Sequence, residues 1–181
     1  IEFTTPFPIT NGTALDMSID DKWSPEQTLP FNFCFFGNYT NKVWVGSNGV
    51  ITFTPPDPND LNIDGSLRCE WSFNQPIPNT NFPIKNAVYG VYQDTDPKPA
   101  ANPSPHHIKY GTVGVSPCRA FVVNFYHLAQ FSCNETVGLQ TSQIVLYETS
   151  NIVEVYVENR TPCTNWQQGR GVLGIQNSAG D

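Results

Sequence analysis

Between Gln143 and Glu158 the chain reads Q-I-V-L-Y-E-T-S-N-I-V-E-V-Y-V-E, with β-branched and aromatic residues on both sides of a polar break at Thr149, Ser150 and Asn151. Such residues suit a pleated, half-buried surface, so the stretch predicts two strands joined by a short turn. In its second half Val153, Val155 and Val157 share one face, while Ile152, Glu154, Tyr156 and Glu158 share the other. That alternation buries a valine stripe and leaves glutamates in water, as an antiparallel strand with one wet face requires.

The remaining segments agree with it. Phe31, Phe33 and Phe35 alternate in a strand ending at Gly37, with a turn expected over Asn38–Asn41 and a returning strand at Val43–Val45. Gly46–Gly49 contains Asn-Gly, which supplies the positive φ of a tight turn, and Val50–Phe53 follows as a strand. Further strands are expected at Ala87–Tyr92, His107–Tyr110, Arg119–His127 and Gly171–Gln176. Residues 1–29 should give an edge strand or a wrapped loop, and a Pro-rich loop should lead to His106. Residues 54–86 form an excursion long enough to need a function or an ordering element of its own. With 16 Pro, 13 Gly and one Met, and no long helical periodicity, the chain predicts an all-β antiparallel sandwich. The expected form is jelly-roll-like with long Pro/Asn-rich loops, one domain over 1–181.

Nine basic against 16 acidic residues leave a net charge of −7, which repels a phosphate backbone and argues against nucleic acid as a partner. No apolar run approaches the ~20 residues of a membrane span, so membrane insertion is not expected. Only 14% of residues are charged, and neutral Asn, Thr, Ser and Pro fill the connections, as in extracellular β-proteins. The sequence opens at Ile1 without Met or a signal region, which reads as a processed or trimmed start. Cys34, Cys69, Cys118, Cys133 and Cys163 show neither a CxxC pair nor a His at zinc spacing. Disulfides in an oxidising compartment, with one thiol left over, are the better expectation. If the hairpin is centred near Thr149 and Ser150, its ladder carried outward brings Cys163 near Thr136, and so selects Cys133–Cys163 as a pair.

Several residues are candidates for a site. Asp60, Asn62 and Asp64 followed by Gly65 copy the start of a calcium loop, with Glu70 as a further oxygen ligand. The glutamate comes one residue early, since Trp71 stands at the expected place, and plain Asx-turn chemistry explains the same residues. Asp94 and Asp96, two apart beyond a strand, could share a cation; a glycosidase pair is disfavoured because neighbours in one chain rarely oppose each other across a substrate. His106 and His107 would point to opposite faces of a strand, and His127 reads as a sheet histidine. Trp23, Trp71 and Trp166 lie in loop-like stretches, where they would cap the core or, for Trp71 and Trp166, offer a sugar platform. Asn11, Asn38, Asn134 and Asn159 begin glycosylation sequons. No nucleophile elbow or activated cysteine occurs, so an enzyme is not expected.

Leu29–Gly37 followed by Val45–Phe53 resembles the opening module of large secreted or cell-surface proteins of Bacteroidetes, of the gliding-motility and type IX secretion kind. The resemblance continues through Asp94–Pro97, Ser116–Phe125, Phe131–Cys133, Gln143–Glu148 and Gly174–Asn177, in order along the chain. More distantly, the strand, acidic turn and late hairpin resemble the nidogen-type extracellular domain. The resemblance implies a secreted, non-enzymatic adhesion or structural module of a longer chain. Its expected partners are other modules of that chain, a surface glycan or protein ligand, or further copies of itself. A glycan-binding module using the loop tryptophans, with or without Ca2+, is the alternative. Residues Asp57–Glu70 fall outside the resemblance.

Overall fold

A computed structural model describes residues 5–98 and 105–181, so the Pro-rich loop expected ahead of His106 lies largely outside the described residues. The strands are β1 (Thr13–Ala14), β2 (Gln27–Phe35), β3 (Asn38–Gly46), β4 (Val50–Thr52), β5 (Ala87–Tyr92) and β6 (Thr95–Asp96). They continue with β7 (His107–Val113), β8 (Ala120–Gln130), β9 (Leu139–Tyr147), β10 (Val153–Asn159) and β11 (Val172–Gln176). A single helical turn, α1 (Asn134–Val137), separates β8 from β9. One sheet has the order β1-β7-β8-β9-β10 with β6 also paired to β8, and the other β11-β5-β4-β3-β2. Every pairing is antiparallel, and the two sheets pack as a sandwich. Consecutive strands stay within a sheet, whereas a jelly roll interleaves them through Greek keys. The jelly-roll-like detail therefore gives way to two meanders whose first and last strands are exchanged.

The inner faces follow the alternation in the sequence. Leu29, Phe31, Phe33 and Phe35 of β2 point inward between exposed Thr28, Pro30 and Asn32. They meet Val43, Val45, Ile51 and Val88 of their own sheet and Phe121, Val123, Phe125, Ile144 and Leu146 of the other. Each such side chain, fully buried, contributes about 1.5–3 kcal/mol by leaving water. Val153 and Val155 of β10 pack against the same core from its edge. The sheets approach closely where Gly90 lies against Ile144; a Cβ at position 90 would collide with that side chain. The hairpin register pairs Val153 with Leu146 and Val155 with Ile144, centring the turn between Thr149 and Ser150.

One turn departs from expectation. Asn38–Asn41 belongs to β3, and the reversal occurs at Phe36–Gly37, with φ of 45° and 80° and Phe35 paired to Asn38. Two successive positive φ values match the right-handed twist of the flanking strands, so the turn closes earlier than the Asn-rich segment suggests.

The long excursion after β4 has its own ordering element. Trp44, Val50, Ala87, Tyr89 and Tyr92 project from the outer face of the second sheet, and Trp23, Cys69, Phe82 and Ile84 pack over them as a second core. Tyr89 donates its hydroxyl to the Ile84 carbonyl at 2.5 Å and Tyr92 to that of Glu70 at 2.6 Å. Short bridges Lys22–Arg68 and Leu61–Leu67 join the covering segments to one another, and Trp23–Gly46 fastens them to β3. The result brings residues 20–23 beside residues 67–70, next to the turn at Asn48.

Candidate functional site

The side chain at the centre of this junction is Asn48, fully buried in the turn between β3 and β4. Its Oδ1 accepts from the Thr95 amide at 2.8 Å, and its Nδ2 donates to Asp21 Oδ1 at 2.8 Å and to the Cys69 carbonyl at 3.3 Å. One amide therefore ties together the loops that carry Asp21, Cys69 and Thr95. The arrangement gathers Asp20, Asp21 and Asp94 so that one carboxylate oxygen of each lies within 4.8 Å of the others. Asp94 is only 2% exposed. Its Oδ2 accepts from Trp166 Nε1 at 2.7 Å, while its Oδ1, like Oδ1 of Asp20, is buried without a partner.

Burial and mutual repulsion make these poor places for negative charge. Desolvation pushes the Asp21 carboxyl up to about 7; Asp20 and Glu70 add to the rise, against the Asn48 hydrogen bond. Asp94 is likewise pushed to about 7, chiefly by burial and then by Asp21, Asp20 and Asp96, with the Trp166 bond opposing. Asp20 is raised by burial and by Asp96, and Lys98 offsets part of that. On the rim, Lys98 Nζ reaches Asp20 Oδ2 at 3.4 Å and Asp96 Oδ1 at 3.8 Å.

Beside the carboxylates lie two of the loop tryptophans. Trp71 and Trp166, both half-buried, have ring centroids 5.8 Å apart and are tilted by 33°, and Trp166 also packs on Phe131 at 4.9 Å. Gln167 Nε2 donates to the Trp71 carbonyl at 3.3 Å. The Trp166 loop is anchored by a Cys133–Cys163 disulfide with Cα atoms 5.8 Å apart, and by the Cys163 amide on Gln130 Oε1 at 2.8 Å. A family model described as NIDO related matches residues 2–181. This chain belongs to the NIDO-related family. No curated protein and no solved structure gave a match. Family and disulfide together point to an extracellular structural module, and among the described residues no helix is long and apolar enough to cross a membrane. The Bacteroidetes context rests on the sequence motifs alone.

Within the NIDO-related domain the structure brings Trp71, Trp166 and Asp94 together and sets Asp96 on the rim beside Lys98. The residues of the calcium-like loop are each engaged by other protein groups. Asp60 forms a two-pronged pair with Arg68, at 2.8 and 3.2 Å. Asn62 donates to the Asp21 carbonyl and to Ser66 Oγ, while Asp64 accepts from the Ser66 amide and hydroxyl. Glu70 accepts from the amides of Trp71 and Ser72, with Arg68 at 3.6 Å. Asp60, Arg68 and Glu70 line an open groove of about 400 Å³ with Trp23 and Pro55.

Trp23 caps the second core. His107 contacts the Ile9 carbonyl at 3.0 Å, and His127 stacks on Tyr126 at 3.7 Å, at a bulge where its φ is 54°. The four sequon asparagines are all exposed. One expectation is corrected: besides the single disulfide, three cysteines are free. Cys69 is fully buried, with its sulfur under Trp23 and Gly46, so no second thiol can reach it. Asp20, Asp21 and Asn48 were not singled out by sequence reasoning. The available signal was an Asp-Asp pair one residue ahead of a core tryptophan, close enough in the chain to be carried toward the core with Trp23.

Proposed function

We propose that this NIDO-related domain is a non-enzymatic extracellular adhesion and structural module, working as part of a longer surface or secreted chain. The whole-length family match carries the reading. The loop end with Trp71, Trp166 and Asp94 is its contact surface, since half-buried aromatic rings with a polar group beside them are common anchors of a recognition face. The expected ligand is a protein or glycan displayed on another surface, or another copy of the module. A hydrolytic role is disfavoured: Asp94 is buried against Trp166, and Asp96 is engaged by Lys98 rather than facing Asp94 across a cleft.

The glycan reading is favoured specifically by the tryptophan pair, and it has a direct test. Saturable binding to an immobilised glycan panel, lost in Trp71→Ala and kept in an exposed control such as Tyr39→Ala, supports it. A folded Trp71→Ala protein that still binds removes this surface from the proposal. The motif resemblance supports a parent chain of the kind Bacteroidetes export for gliding and surface display. Peptides of this domain should then occur in a native polypeptide far heavier than 20.1 kDa, and a native mass near that value overturns the modular reading.

A further inference from the structure

We propose that Asp20, Asp21 and Asp94 form a binding site for one hard divalent cation, calcium in an extracellular setting. The residues come from two separate segments, 20–21 ahead of the bridge to β3 and 94 between β5 and β6, and fold brings their oxygens within 4.8 Å. Crowded acids alone do not make a site. The deciding observation is that Oδ1 of Asp94, on a side chain 98% shielded from solvent, has no hydrogen-bond donor, and neither has Oδ1 of Asp20. Buried carboxylate oxygens are ordinarily satisfied, and an orphaned pair beside a third carboxylate lacks a cation that can face all three.

The other contacts leave that cation role open. Asn48 holds Asp21 Oδ1, Trp166 holds Asp94 Oδ2, and Lys98 reaches Asp20 at Oδ2, at 3.4 Å. These bonds orient the carboxylates as the partners behind a metal ligand do, while the orphaned oxygens remain for the ion itself. The donor set is oxygen only, which selects calcium or magnesium over zinc or copper, and carboxylates set without strict octahedral demands suit the larger ion. Extracellular modules take calcium with dissociation constants of about 10⁻⁴–10⁻³ M, so three carboxylates suffice. A bound ion would tie the 20–21 segment to the strand end that positions Trp166, and so connect cation binding to the shape of the proposed contact surface.

Terbium, an oxygen-seeking stand-in for calcium, provides the test, because Trp166 donates directly to Asp94 and would sensitise its emission. The chain, stripped with chelator, should show saturable tryptophan-sensitised terbium emission that calcium competes away at about 1 mM. Its melting midpoint should rise with calcium. Asp94→Asn keeps an oxygen for Trp166 and removes the charge; it and Asp20→Asn should each weaken binding by about tenfold or more, because ligand charge sets affinity. Asp60→Asn/Asp64→Asn should bind as the parent does. No sensitised emission, or emission kept in Asp20→Asn and lost in Asp60→Asn/Asp64→Asn, overturns the proposal. Should Asp94→Asn fail to fold, Asp20→Asn, at a half-buried position, decides it on the same readout.

Discussion

The two ends of β8 handle acidic side chains in opposite ways. Just before the strand, Arg119 meets Glu148 of the hairpin turn through its amide at 3.1 Å, its Nε at 2.8 Å and its Nη2 at 2.6 Å. The guanidinium also lies over the Phe31 ring at 5.7 Å. Eleven residues on, a span of roughly 35 Å at strand rise, β8 ends at Gln130, which pairs with Thr95 beside the crowded Asp20, Asp21 and Asp94. At the first end a charged donor satisfies the carboxylate, and the Arg119 bond holds Glu148 down at about 2. At the second, burial raises Asp21 and Asp94 to about 7. A closed ion pair fixes a turn. Acids crowded together and desolvated hold a position that favours folding less but can respond to a ligand.

The sharpest way to separate the ends is to cut the staple at one of them. The Cys133–Cys163 bridge spans 30 residues, and losing its restraint on the unfolded chain should cost about 3–4 kcal/mol. Denaturant unfolding of Cys133→Ser/Cys163→Ser measures that loss. Hydrogen exchange should then quicken around Cys163–Gly169 and leave the Arg119–Glu148 turn protected; equal loosening at both ends would dissolve the contrast. Next in size comes Asn48→Ala. It strands the buried Thr95 amide and removes the Asn48 donor from the Cys69 carbonyl and from Asp21, which should cost about 2–3 kcal/mol by the same unfolding measurement. A loss well under 1 kcal/mol would show that water takes over those bonds.

How much of this was legible follows the same division. The strands could be read because alternation is local: Phe31, Phe33 and Phe35 need only their own segment to declare a buried face. The disulfide could be read because a hairpin register is a local rule carried outward, and one centre near Thr149 and Ser150 fixes where Cys163 arrives. Phe36 in a left-handed turn gave no such sign, because the residue type argues against that backbone and only the pairing of Phe35 with Asn38 imposes it. The acidic site was hidden for a stronger reason. Its members lie at positions 20, 21 and 94, and what unites them is a second core built from outward-facing Tyr89 and Tyr92, whose burial depends on the excursion folding back. Trp71 and Trp166 were visible as candidates, but their contact with each other was a property of that same return.

The pH response tests the contrast in charge. Glu148, with its folded value below the ordinary 4.5, contributes stability that is present above that value and lost as pH falls toward about 2. Asp21 and Asp94, with folded values raised from 3.8 to about 7, favour the fold most below 3.8, and that contribution is lost as pH rises through 7. In chelator, therefore, melting midpoints should decline on both sides. Glu148→Gln should flatten the acid side alone and Asp94→Asn the neutral side alone. Asp20, Asp96, Glu70, Arg68 and Lys98 also face the cluster, so a flat profile between pH 5 and pH 8 would mean that their charges cancel the crowding.

Lys98 gives the smallest and most discriminating perturbation. Its side chain is 43% exposed, and it reaches Asp20 and Asp96 from solvent, so Lys98→Met should cost less than about 1 kcal/mol in chelator. Its effect on a bound cation has the opposite sign. Removing a positive charge beside the three carboxylates should tighten calcium binding, by a factor that shrinks as salt screens the lost repulsion. Calcium titrations of the parent and Lys98→Met at low and high salt measure both. Weaker calcium binding in Lys98→Met would show that the lysine orients Asp20 for the ion, and would make the acidic end as dependent on a built-in cation as the Arg119 end.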